Sequence, residues 1–154
     1  MIKFRGIPTI STENMKVINA NYDGTFVYGN LISDDDRAFI IGKLADVNDE
    51  YILPEWWVEV DPKTVEQFTG LTDVNGKNIY VGDIVEAWSN LSKLTMEHKE
   101  YEVVNSDMYG HAGVYLRPTF PHLIEINIYQ SLSAMQFKVI GNVHENPELL
   151  EEDK

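Results

Sequence analysis

The sequence predicts a mainly β protein of small twisted sheets, closing with a short C-terminal helix. Two observations carry this prediction. Short runs of alternating apolar and polar residues recur along the chain, and turn-forming residues separate them. The composition is globular: 154 residues, 44% hydrophobic and 24% charged, enough for one ordinary domain or two very small ones.

Met15–Tyr22 and Thr25–Ser33 flank Asp23-Gly24, which predicts a β-hairpin, because both central residues of a type I′ turn need positive φ. Asp34-Asp35-Asp36 is a charged turn, and Arg37–Leu44 is a strand with Gly42 as a bulge candidate. Tyr51–Leu53 and Trp56–Val60 flank Pro54, which interrupts any continuous strand. Asp61-Pro62 pairs a helix N-cap with proline at the first helical position. Lys63–Phe68 fits one helical turn or a short strand equally well. Asn75-Gly76 is the strongest hairpin dipeptide in the chain, followed by an extended Lys77–Val81. Ile84–Trp88 alternates, with Ile84, Glu86 and Trp88 on one face. Further strands are expected at Glu100–Val104, Val114–Arg117, His122–Tyr129 and Phe137–Val143. Asn146-Pro147 followed by acids predicts the terminal helix. The best internal boundary lies near Asp61-Pro62, giving lobes 1–60 and 61–154 of one cooperative unit.

Composition also excludes function classes. No apolar run approaches the roughly 18–20 residues of a membrane helix, and the first residues lack a signal-peptide core. Cysteine is absent, so disulfides, thiolate zinc sites and cysteine nucleophiles are excluded, and a reducing cytoplasm is the expected compartment. There are 25 acidic and 12 basic residues, a net charge of −13. The basic residues are scattered, which argues against direct binding of nucleic acid or of an anionic membrane.

Catalytic patterns are missing. His98, His111, His122 and His144 make no metal-ligand pair of the H-x-x-x-H kind, so no metal site is expected. Asp34–Asp36 reads as a solvated turn. Asp73-Val74-Asn75-Gly76 opens like a calcium loop, but the twelfth position is Ile84 rather than Glu. No nucleophile elbow, phosphate loop or dinucleotide fingerprint occurs, so no cofactor is expected. An enzyme would need a dispersed site, with Asp83, His122 or His144 beside carboxylates. The aromatic cluster is more informative. Trp56, Trp57, Phe68, Tyr80 and Trp88 are candidates for a protein interface, with Tyr51 nearby. Trp56 and Trp57 are adjacent, so on a strand they face opposite sides. One can enter the core, and the other needs a second packing layer or a partner subunit.

The segment Val60–Val85, VDPKTVEQFTGLTDVNGKNIYVGDIV, resembles the central motif of the YopX family of phage and prophage proteins. Gln67 to Leu71, Asp73, Asn75, Gly76, Ile79, Tyr80 and Gly82 to Val85 carry the match. Ile2-Lys3-Phe4-Arg5 is similar to the family's opening, although Gly6-Ile7 replaces its usual Ala-Trp. Val139–Glu152, VIGNVHENPELLEE, is similar to its end. The resemblance implies a mainly β accessory protein of a phage or prophage, located in the bacterial host's cytoplasm. It implies no known enzymatic activity, and it implies a host or phage protein partner or a homo-oligomer. Tyr80–Val85 also resembles a strand handover in a small SH3-like barrel, an analogy of fold alone. The expected function is therefore non-enzymatic protein–protein interaction. The alternatives are an acidic decoy of a nucleic-acid-binding protein, the dispersed-site enzyme, and a structural virion component.

Overall fold

The computed structural model describes residues 4–89, 99–107, 112–119, 125–129 and 135–150. The chain divides into two units, Met1–Phe68 and Thr69–Lys154. Both consist mostly of small antiparallel sheets. The sequence placed a boundary near Asp61-Pro62; the division falls after Phe68, because the intervening residues are tied back to the start of the chain. The Ile7 N–H donates to Thr64 Oγ1 at 2.9 Å, and Glu66 pairs with Arg5. Lys63–Phe68, open between helix and strand, is both: a 3-10 turn at Pro62–Thr64, capped by Asp61, runs directly into a strand.

The first unit holds β1 (Phe4–Gly6), β2 (Val27–Ser33), β3 (Ala38–Ile41), β4 (Leu44–Val47), β5 (Ile52–Pro54), β6 (Trp57–Val60) and the start of β7 (Glu66–Thr72). The order β6-β3-β2-β1-β7 forms its main sheet, while among the described residues β4 and β5 pair only with each other. Ala38 lies opposite Val60 and Ile40 opposite Val58, so all four share one face. They form the core with Met15, Val27 and Trp56.

The N-terminal hairpin expectation is overturned. Met15–Tyr22 does not form a strand; Thr12–Val17 is a helix, α1. Ser11 is its N-cap, accepting from the Asn14 N–H. Asn19 ends it in the left-handed region at φ 58°, with Asn19 and Ala20 N–H groups donating to Lys16 and Met15 carbonyls, a Schellman closure. The apparent alternation was misleading because only Met15 is buried, while Val17 points to solvent. Asp23-Gly24 does turn the chain, with Gly24 at φ 102°. Asp23 accepts from the Thr25 and Phe26 N–H groups and from the Tyr28 hydroxyl.

Close strand approach makes Gly29 sensitive. A Cβ there would stand 2.2 Å from the Ile41 carbonyl oxygen, a backbone atom that no rotamer change can move. Gly29→Ala is expected to cost about 2–3 kcal/mol or more. Gly113→Ala, whose Cβ would meet nothing nearer than 3.4 Å, serves as the mild control. Thermal melts compare the two, and equal shifts would refute the assigned contact.

The second unit contains the end of β7, β8 (Asn78–Tyr80), β9 (Asp83–Ser89), β10 (Lys99–Ser106), β11 (Gly113–Pro118), β12 (Ile126–Asn127) and β13 (Met135–Asn142). Asn75-Gly76 makes the β7–β8 turn, with Gly76 at φ 79°. The larger sheet runs β12-β11-β10-β9-β13. Barrel closure, expected from the SH3-like analogy, is absent among the described residues: β12 and β13 stand at opposite edges of an open sheet. The alternation expected for β9 holds, and its inner face is Val85 and Ala87. These pack with Ile79, Tyr101, Val103, Leu116, Ile128 and Phe137. The terminal helix is only a 3-10 turn at Pro147–Leu150. The strand expected at His122–Tyr129 shortens to β12 within the described residues, and His122 lies outside them.

Candidate functional site

The five candidate aromatics separate by burial. Trp56 is 8% exposed and fills the first unit's core. It sits against Gly42, where any Cβ would come within 2.5 Å of its indole nitrogen. Gly42 therefore serves as a seat for Trp56, outside any strand. Tyr80 is 2% exposed in the second unit. Phe68 and Trp88 are half-buried. Trp57 alone of the five is broadly exposed, at 57%, on the edge strand β6. The opposite facing of the two tryptophans is thus observed. Trp56 and Tyr80 are interior side chains, whereas Trp57 has no second packing layer among the described residues.

A surface that the residue patterns did not single out is larger. β4 and β5 form a two-stranded arm, and every residue from Lys43 to Leu53 is exposed. Asn48 makes its turn, its side-chain oxygen accepting from the Glu50 and Tyr51 N–H groups at 2.8 and 3.1 Å. Val47 lies opposite Ile52, Asp46 opposite Leu53, and Leu44 opposite Pro54. The bulge between Leu44 and Asp46 re-phases the strand. It brings Leu44 onto the face of Val47 and Ile52, leaving Asp46, Tyr51 and Leu53 on the other. The Tyr51 hydroxyl accordingly donates to Asp46 Oδ2 at 2.8 Å. Leu44, Val47, Tyr51, Ile52 and Leu53 each remain between 46% and 56% exposed. The Asn48 turn was not among the turns expected from the sequence, and residue spacing does not show that, among the described residues, neither face packs on a core. Beside the root of the arm lies a concavity of about 310 Å³ lined by Asn21, Tyr28, Asn30, Lys43, Glu55 and Trp56, among others.

Of the catalytic candidates, Asp83 and the backbone of His144 have structural partners, and His122 lies outside the described residues. Asp83 is 1% exposed, and its Oδ2 accepts from the Tyr80 N–H at 2.8 Å. His144 donates its backbone N–H to Asn142 Oδ1. Glu102 sits in the second unit's sheet across from Arg117, which donates to Glu125 at 2.7 Å. Burial pushes the Glu102 carboxyl up, Arg117 opposes this, and Glu125 adds to it. Among the described residues, no three His, Asp or Glu side chains gather closely enough to hold a metal ion. No helix among them is long and apolar enough to cross a membrane.

The two most distinctive sequence motifs meet in space. Asp73 Oδ1 accepts from the Asn75 and Lys77 N–H groups, each at 2.9 Å, and its Oδ2 accepts from Val139 at 3.0 Å. Asn142 Nδ2 donates to the Gly82 carbonyl at 3.1 Å and to Asp83 Oδ1 at 3.4 Å. Asn146 caps the arrangement by accepting from the Asn142 N–H. The turn residues of Thr69–Val85 and the Val139–Leu150 segment are therefore one hydrogen-bonded unit. A YopX protein family profile matches residues 9–151. The chain belongs to the YopX family. Its fold is similar to the crystal structure of protein EF1440 from Enterococcus faecalis, with a TM-score of 0.55 and 23% identity over 98% of this chain and 99% of that one. That likeness concerns the fold alone. No curated protein matches the sequence. Asp73, Asp83 and Asn142 act as scaffold, holding turns and strand ends, and the exposed arm and Trp57 stand among the apolar surfaces left open, beside single side chains such as Val17 and Val74.

Proposed function

We propose that this YopX-family chain is a non-enzymatic accessory protein of a phage or prophage that works in the bacterial cytoplasm by binding another protein. The observation carrying this reading is the β4–β5 arm. A two-stranded hairpin is marginal by itself, and this one exposes apolar residues on both faces. Covering the exposed half of such a side chain is worth roughly 0.7–1.5 kcal/mol. Trp57 on the edge strand that follows adds an aromatic anchor of the kind enriched at interfaces. Self-association through the exposed Trp57 is a second reading; the outer side of β6 is already bridged at Val60 by Pro8, where the Thr9 N–H donates to the Glu59 carbonyl and the Asp61 N–H to the Ile7 carbonyl.

A photo-crosslinking residue placed at Val47, Ile52 or Trp57 in the full chain tests the reading in host cells infected with or carrying the phage. Discrete adducts with another protein are expected from these positions and not from Asp35, in the exposed β2–β3 turn. Equal labelling from Asp35 would overturn it.

A further inference from the structure

The arm carries a second regularity besides its exposed apolar residues. Asp46, Asp49, Glu50 and Glu55 all lie on or beside it and are exposed, and no Lys or Arg occurs from Leu44 to Pro62. Lys43 stands at its root. Asp49 and Glu50 mark the turn and Glu55 the root, so the acids bracket the apolar pairs Val47–Ile52 and Leu44–Pro54 at both ends. Neither β4 nor β5 has a second ladder partner among the described residues.

From this arrangement, and resting on the protein-binding reading above, we infer that the arm receives an extended segment of a partner protein as a third strand. That segment has an apolar centre flanked by Lys or Arg. Three considerations select this occupant. A third strand completes a sheet that two strands only marginally sustain. Its backbone groups satisfy an open edge, the β-augmentation mode of recognition. Its cations meet carboxylates at both ends of the apolar patch, whereas a second copy of this arm would set four carboxylates against four, in a chain already carrying −13.

The test is selection of a displayed library of random twelve-residue peptides on the full-length protein, followed by affinity measurement of the enriched peptides. The expected winners combine branched or aromatic residues with a net positive charge. Their affinity should fall about tenfold or more in the double variant Val47→Ser/Ile52→Ser. It should also fall severalfold in Asp49→Asn/Glu50→Gln, and steeply as salt rises from about 50 to 300 mM. Both variants change exposed residues, and an unchanged melt verifies their fold.

Arm-dependent peptides without cationic excess would overturn the occupant while leaving the protein-binding reading intact. Selection yielding no arm-dependent peptide would overturn the inference. If sedimentation then shows an oligomer that Val47→Ser/Ile52→Ser dissolves, the occupant is a second copy. If the crosslinking of the preceding section is also empty, the protein-binding reading falls with it.

Discussion

Glu66→Ala is expected to cost about 3–5 kcal/mol, a large share of the 5–15 kcal/mol by which a typical domain is stable. The Arg5 and Glu66 side chains are 4% and 5% exposed, and Nε and Oε1 are 2.9 Å apart. They are direct cross-strand partners on β1 and β7. The guanidinium also lies 4.2 Å from the centre of the Phe26 ring. Removing the carboxylate takes the cross-strand partner from a buried cation, which keeps the Phe26 ring, the Tyr28 hydroxyl and the charge of Asp23 beside it. Most of the cost is the loss of that buried ion pair, so removing both charges behaves differently. Arg5→Met/Glu66→Leu should recover most of the loss, since buried ion pairs often give way to packed apolar residues at little cost. Urea unfolding measures both variants. A loss under about 1 kcal/mol in Glu66→Ala would mean that solvent screens the pair.

Asp73→Ala has the second-largest expected effect, about 2–4 kcal/mol, in the second unit. Its carboxylate accepts from three backbone amides, and the side chain bridges the β7–β8 turn to β13. Asn75 and Lys77 are exposed, and their amides can regain water. The Val139 amide, inside the β9–β13 ladder, has less access, so its lost bond sets most of the cost. Asp73→Asn keeps an acceptor oxygen and should lose about half as much.

The same residue predicts a pH dependence. Burial pushes the Asp73 carboxyl up, but the Val139, Lys77 and Asn75 amides outweigh burial and hold it below the usual carboxylate range. A depressed folded value means that the ionised carboxylate favours the fold. This contribution is complete above the unfolded value of roughly 3.9 and disappears as pH falls through the lower folded value. Asp23 moves in the same direction: burial raises it, and the Tyr28 hydroxyl with the Phe26 and Thr25 amides lowers it further. The difference between wild type and Asp73→Ala isolates one carboxylate. It should shrink as pH falls below about 4. A difference constant from pH 7 to pH 2 would show that the charge plays no part.

Local chemistry was legible along the chain wherever one residue's backbone preference decided the outcome. Asn75-Gly76 turns because glycine adopts positive φ without a Cβ clash. Asp34 makes the β2–β3 turn through its own neighbouring amides. The alternation of Ile84–Trp88, the break at Pro54 and the start at Asp61-Pro62 all follow from interactions within a few residues, and so do the mainly β character and the family assignment. The helix at Thr12–Val17 was misread because Met15 and Val17, its only apolar residues, stand two apart, which is the spacing of a strand. Burial of Met15 and the Asn19 closure decided for the helix.

What remained was set by residues distant in sequence. Arg5 meets Glu66 across 61 positions, and Asp73 meets Val139 across 66. Trp56 is a core residue because Gly42 leaves room for its indole, and Trp57 is exposed because it points the other way from an edge. The β4–β5 arm has the alternation and turn of an ordinary buried hairpin, and sequence spacing says nothing of whether a core lies beneath it. Hydrophobic burial depends on which surfaces the whole chain brings together, so only the tertiary structure could reveal an apolar arm that no described residue covers.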